Sequence, residues 1–183
     1  MKLATWNINS VRLRLPIVLQ FLKESDIDVL CLQETKTEDQ YFPVAAFAEA
    51  GWPHQVFRGE KSYNGVAIIS RHALSDSHQN DWAGKSDCRH IAAVTSDGVR
   101  IDNFYVPAGG DIADPDENPK FAHKLQFIDE MSQHFLANPP ERQILVGDLN
   151  IAPLAEDVWS SKQLLKVVSH TPGGDRRVEK IGC

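Results

Sequence analysis

This chain is poor in the residues and runs that mark several protein classes. Its three cysteines, Cys31, Cys88 and Cys183, have neither the spacing of a metal clip nor the even count of a disulfide framework. Cys31 lies in an apolar run and reads as a small core residue. A reducing, cytoplasmic setting is the economical expectation. No stretch approaches the ~20 apolar residues that a membrane span needs, and Met1 to Asn7 lack the apolar core of a signal segment. Excess positive charge is missing too. A formal net charge of −6 argues against coating nucleic acid by bulk attraction. It leaves room for an enzyme that grips a few phosphates locally, since an acidic cation site itself lowers net charge.

What is present suits one globular domain of 183 residues, with 42% hydrophobic and 24% charged side chains. Lys2 to Ile8 reads as a first strand. Asn9-Ser10 reads as the cap of a helix carried by Val11, Leu15, Val18, Leu19 and Leu22. Asp28 to Gln33, Gly65 to Ser70 and Gln143 to Gly147 are short apolar runs of the kind that fill buried strands. His90 to Thr95 and Val99 to Val106 flank Ser96-Asp97-Gly98, whose Asp-Gly pair favours a hairpin turn. Residues 107–119 form a loop, and Phe121, Leu125, Ile128, Ser132 and Phe135 mark one face of a second helix. Val158 to Val168 is expected to be helical. The pattern gives α/β or α+β without fixing the topology. Residues 173–183 show no period and are expected to be an unstructured tail, which puts the domain at 1–172.

Three apolar strands end in polar residues: Asn7, Glu34, and Asp148 with Asn150 two residues on. Side chains two apart on a strand face the same way, so Asp148 and Asn150 share a direction if the backbone stays extended. Polar groups at strand ends are where ligands collect in helix-covered sheets. An amide, a carboxylate and an Asp/Asn pair suit an oxygen-seeking cation such as Mg²⁺. Two carboxylates 4 Å apart repel by about 4 kcal/mol at an effective dielectric constant of 20, which a bound cation would offset. Taken singly, each residue also has an ordinary structural explanation: a turn for Asn7 and Asp148, return to solvent for Glu34, a core edge for Tyr105.

The local strings add to this. Thr5-Trp6-Asn7-Ile8-Asn9, Leu32-Gln33-Glu34-Thr35-Lys36, Tyr63-Asn64-Gly65-Val66-Ala67-Ile68-Ile69-Ser70-Arg71, Asn103-Phe104-Tyr105-Val106-Pro107 and Gly147-Asp148-Leu149-Asn150-Ile151-Ala152-Pro153 occur in this order. Together they resemble the exonuclease III branch of the endonuclease/exonuclease/phosphatase superfamily, across residues 1–172. The resemblance implies an α/β fold, a four-layer α/β/β/α sandwich of two packed mixed β-sheets. It implies metal-site roles for Asn7 and Glu34, with Asp148 and Asn150 joining the metal or the phosphate. Tyr105 would contact the scissile phosphate, and Asp148 would orient or deprotonate the attacking water. The implied cofactor is Mg²⁺, with Mn²⁺ as a substitute. The implied partner is double-stranded DNA with abasic sites or 3′ ends, bound by a monomer through Arg12, Lys36, Asn64 and Arg89, with no membrane.

The chain also departs from that pattern. Ala108 follows Val106-Pro107 where many relatives carry Asn. The family's late Asp and terminal Asp-His motifs are not found here, and His170 has no preceding Asp. The expectation is therefore a C-terminally truncated chain with an incomplete second sheet and impaired catalysis. Two alternatives stay open: a catalytically inactive remnant that binds metal or DNA, and a phosphoesterase of the same superfamily acting on phosphoinositides or sphingolipids.

Overall fold

The computed structural model describes residues 1–139 and 141–171. The expected tail at 173–183 lies outside the described residues. The chain divides into two compact units. The first comprises Met1–Asp81, Ser86–Tyr105 and Arg142–Asp148, and the second the remaining segments.

The first unit holds eight strands in two mixed sheets. The apolar run after Asp28 forms β2 (Val29–Gln33), buried at every position. It pairs in parallel with β1 (Leu3–Asn7) and antiparallel with β4 (Val66–Ser70), which in turn carries β3 (His54–Arg58) at the edge. The second sheet runs β5 (Leu74–His78), β6 (His90–Thr95), β7 (Arg100–Tyr105) and β8 (Gln143–Asp148). Thr95, Asp97 and Gly98 close the β6–β7 hairpin, with the Gly98 N–H donating to the Thr95 carbonyl and Gly98 at φ +78°. β7 and β8 are parallel, with Tyr105 opposite Asp148. Among the described residues β8 pairs with β7 alone, and each of its residues is partly exposed.

Strand alternation sorts the core into two layers. Val29, Cys31, Val66 and Ile68 face Ile91, Ala93 and Ile101 and form the seam between the sheets. Leu30, Leu32, Ala67 and Ile69 face the other way. They are covered by α1 (Val11–Glu24) through Val11, Val18 and Leu22, and by Phe47 of α2 (Val44–Glu49). Fully burying each such aliphatic or aromatic side chain contributes about 1.5–3 kcal/mol.

The second unit contains α3 (Pro119–Ala137) and α4 (Ser161–Leu164). Pro119 opens α3 where its missing N–H costs nothing, and the Asn118 side chain caps it by accepting from the Lys120 N–H at 3.1 Å. Phe121, Lys124, Ile128, Met131 and Phe135 fall on its buried face. No described helix is long and apolar enough to cross a membrane.

The structure adds three elements and changes two readings. β3 and β5 escaped notice because both are edge strands of mixed polarity; β5 is Leu-Ser-Asp-Ser-His and largely exposed. α2 escaped notice because it is under two turns long. Ser10 sits at the cap position of α1 at φ 87° but makes no side-chain cap bond. Its N–H donates instead to the Glu34 carbonyl at 2.7 Å. Only the single turn Ser161–Leu164 of the segment Val158 to Val168 is helical. Its apolar residues are clustered rather than spaced on one face, and Trp159, Leu165 and Val167 are exposed.

Candidate active site

The parallel pairs place the ends of four strands together. Asn7 ends β1 opposite Gln33, the last residue of β2, so Glu34 begins its loop beside Asn7. Tyr105 and Asp148 end β7 and β8 opposite one another. The Asn7 Nδ2 donates to Glu34 Oε1 at 2.8 Å and to Asp148 Oδ2 at 2.8 Å. The Tyr105 phenol and Glu34 lie close enough to shift one another's ionisation. These four residues, far apart in the chain, form one polar group, with the Asn7 amide bonded to both carboxylates.

Glu34 is the hub. Its other oxygen, Oε2, lies 2.7 Å from the Lys36 Nζ, which also donates to Asn9 Oδ1 at 2.7 Å. Burial pushes its carboxyl up, but hydrogen bonds from Asn7, Lys36 and Tyr105 and the Lys36 charge outweigh that. The result lies below the usual carboxylate range. Tyr105 goes the opposite way. Burial, the bond to Glu34 and that carboxylate's charge push it up to about 12, so it stays a phenol and a donor at neutral pH.

The loops carrying these groups are wound tightly. Asn9, Ser10, Glu34, Lys36 and Asn64 all have positive φ, a conformation that costs non-glycine residues roughly 1 kcal/mol or more. Backbone bonds hold them there: Val11 N–H to the Thr35 carbonyl at 3.0 Å, Thr35 to Gly65 at 3.2 Å, and Lys36 to Asn64 at 2.9 Å. Gly65 is required at this crossing, because a Cβ on it would lie 2.1 Å from the Thr35 Oγ1.

Two buried amides that the sequence reading did not single out lock the sheets together beneath the group. The Asn103 Nδ2 donates to the carbonyls of Leu32 and Ala67, both at 2.9 Å. The Gln33 Nε2 donates to Asn103 Oδ1 at 2.7 Å and to Thr5 Oγ1 at 2.9 Å. Asn103 sits two residues before Tyr105 on the same face, and Gln33 immediately precedes Glu34. The available signal was polarity at inward-facing positions of otherwise apolar strands. Gly147, like Gly65, has no room for a side chain, since a Cβ there would lie 2.0 Å from the Phe104 carbonyl oxygen.

Asn150 stands apart from this pattern. β8 ends at Asp148 and Asn150 has φ +50°, so the extended backbone on which the pairing of Asp148 with Asn150 depended is not present. Asn150 belongs to the second unit, where its Nδ2 donates to the Val106 carbonyl at 2.9 Å. Of the residues expected to touch DNA, Arg12 stacks over Tyr41 at 5.5 Å, and Lys36 is bound to Glu34 and Asn9. Asn64 donates to Glu60 Oε1 at 2.6 Å. Arg89 pairs with Asp87 at 2.6 Å and covers the Tyr105 ring at 4.7 Å, which supports that ring from behind.

The donor chemistry fits a hard divalent cation. Glu34 Oε1 and Asp148 Oδ2 are each within hydrogen-bond reach of one atom, the Asn7 nitrogen, so one ion-sized object reaches both. Asn7 presents its nitrogen there while its Oδ1 accepts from the Asn9 N–H at 3.2 Å; a half-turn of the amide exchanges the two. No group of three or more His, Cys, Asp or Glu placed to hold a metal ion occurs among the described residues. A cation held here would fill its shell with water and substrate oxygens, as Mg²⁺ commonly does.

A model of the endonuclease/exonuclease/phosphatase family matches residues 4–177. The chain belongs to that family. Bacillus subtilis exodeoxyribonuclease is 26% identical over 172 residues, which span 88% of this chain and 63% of the Bacillus protein. The solved AP endonuclease of Archaeoglobus fulgidus superposes with a TM-score of 0.90 at 37% identity, covering 99% of this chain and 70% of that one. A 3′ phosphatase from Neisseria bound to a product DNA hairpin gives a TM-score of 0.88 at 34% identity, with the same coverage. The chain thus spans less than two thirds of the Bacillus relative. Two mixed sheets with helices are the fold that these family members share with it.

Proposed function

We propose that this chain is a DNA phosphodiesterase of the exonuclease III type, dependent on a divalent cation, with Mg²⁺ as the metal. Its proposed substrate is duplex DNA carrying an abasic site or a 3′ end to be trimmed. The supporting observation is the group in which one Asn7 amide bridges Glu34 and Asp148, with Tyr105 electrostatically coupled to Glu34. Exodeoxyribonuclease and AP endonuclease relatives support the choice of DNA.

Glu34, Asp148 and Asn7, the last turned oxygen-first, would hold the cation. Bound there, Mg²⁺ would supply charge neutralisation at a phosphate oxygen. The chain's own groups supply the rest. Glu34 stays ionised through the neutral range, because its donors hold its carboxyl low. Tyr105, protonated up to about 12, donates a hydrogen bond to a phosphate oxygen. Asp148 orients a water in line with the leaving oxygen and accepts its proton as the new O–P bond forms and the P–O bond to the leaving oxygen breaks, that oxygen taking a proton from solvent. By the family resemblance Asn150 is assigned to phosphate support, and Arg12 and Lys36 to contacts with the flanking phosphates.

The test is incubation of the purified chain with a labelled abasic-site duplex and Mg²⁺, with and without EDTA. Cation-dependent nicking beside the abasic site is the expected result. Binding without cleavage by a folded sample would overturn the catalytic reading in favour of a non-catalytic remnant. Release of phosphate from phosphoinositides, with the duplex left intact, would replace the substrate.

A further inference from the structure

We propose that Lys124 is the positioning residue for Asn150, a buried ammonium that fixes the loop carrying that amide. Lys124 lies on α3 and its side chain is fully buried. Its Nζ donates to three backbone carbonyls: Asn150 at 2.5 Å, Val168 at 2.9 Å and Ala108 at 3.2 Å. An ammonium has three N–H groups, and these three acceptors come from three separate loops. Burying a charge is costly unless polar partners compensate it. A methionine would fill much the same volume without that cost, so packing alone does not call for a lysine here.

The path of the stem supports the same reading. Gly109, at φ +94°, would place a Cβ 2.8 Å from the Lys124 Cδ. Asn150 is held at both ends, its carbonyl by Lys124 and its Nδ2 by the Val106 carbonyl at 2.9 Å. With φ at +50°, its backbone sits in the left-handed region, and these bonds stabilise it there. The far end of the loop is fastened as well, by Ala152 N–H to the Ser169 carbonyl at 2.7 Å and by His170 Nδ1 on the Ala152 carbonyl at 2.6 Å. Releasing Lys124 frees an attachment shared by all three loops.

The inference rests on the proposed catalytic part of Asn150 only where activity is measured. The direct test is NMR of the full chain as Lys124→Met, Lys124→Arg and Ile128→Val. Lys124→Met is expected to shift the Asn150 side-chain amide signals and to speed backbone exchange in that loop at least tenfold. Lys124→Arg should restore most of the protection. Ile128→Val lowers stability on the same helix face and should leave the Asn150 signals in place. Unchanged Asn150 signals in Lys124→Met, or equal shifts in Ile128→Val, would overturn the proposal. If Lys124→Met does not fold, Gly109→Ala crowds the same stem, and the same two outcomes decide. In cleavage assays, Lys124→Met should slow the reaction at least tenfold alone, and less than threefold on an Asn150→Ala background. An Asn150→Ala variant with full activity would remove the catalytic part given to Asn150, and the NMR result would still decide the positioning.

Discussion

Replacing Asn103 by leucine removes the pin between the two sheets while keeping the side chain's branching and number of heavy atoms. Three hydrogen bonds go: two to the Leu32 and Ala67 carbonyls and one from Gln33. A typical intramolecular hydrogen bond contributes about 1 kcal/mol net. The Gln33 amide keeps its Thr5 partner, so it is not left stranded. The expected loss is about 3 kcal/mol, a fall in Tm of roughly 6–12 °C for a domain of this size. Urea and thermal unfolding followed by circular dichroism would measure it. Gln33→Leu should cost less, and the double variant should cost less than the two singles together, by at least about 0.5 kcal/mol, because the residues share a bond. A loss below about 0.5 kcal/mol for Asn103→Leu, or strict additivity with Gln33→Leu, would refute the pin. The group above should loosen too, since Tyr105 and Glu34 are neighbours of the two amides.

Gly147→Ala forces a Cβ to 2.0 Å from the Phe104 carbonyl oxygen at a positive φ. We expect a loss above about 3 kcal/mol, read by urea unfolding; a wild-type midpoint would contradict the close approach. Asp102 is fully buried, and His90 and Arg100 donate to it. Burial pushes its carboxyl up, but those bonds outweigh it and bring it down to about 2. A folded value below the unfolded one contributes stability above the unfolded value, and that contribution is lost as pH falls from about 4 toward 2. The stability gap between the wild type and Asp102→Asn should therefore narrow by roughly 2 kcal/mol between pH 5 and pH 2. A constant gap would show that the carboxylate is not stabilised as described. Glu34→Gln should leave the fold intact and weaken Mg²⁺ binding at least tenfold by calorimetry; unchanged binding would remove Glu34 from the cation site.

The sequence was most readable where physics is local. Continuous apolar runs gave β2, β4 and β8, and helical spacing gave α1 and α3, because burial on one side or both leaves a periodic trace. Polar residues closing those runs pointed to Asn7, Glu34 and Asp148, and the shared strings pointed to Tyr105. Edge strands were harder to see, because β3 and β5 lie at sheet edges and carry mixed side chains. The bridging amides Gln33 and Asn103 were hidden for another reason. Their partners are 70 residues apart in the chain, and nothing local shows that one buried amide will meet another. The course of the loop after Asp148 was likewise opaque. A single left-handed residue at Asn150, held by a lysine on another element, redirects the chain in a way no strand pattern encodes.

Cys31, closed into the seam between the sheets and fully buried, has its thiol pushed far above the ordinary range by that burial. Such a sulfur resists alkylation while the layers stay shut. With Cys88 and Cys183 changed to serine, its labelling rate becomes a built-in clock for the parting of the two sheets, readable by mass spectrometry without substrate or metal.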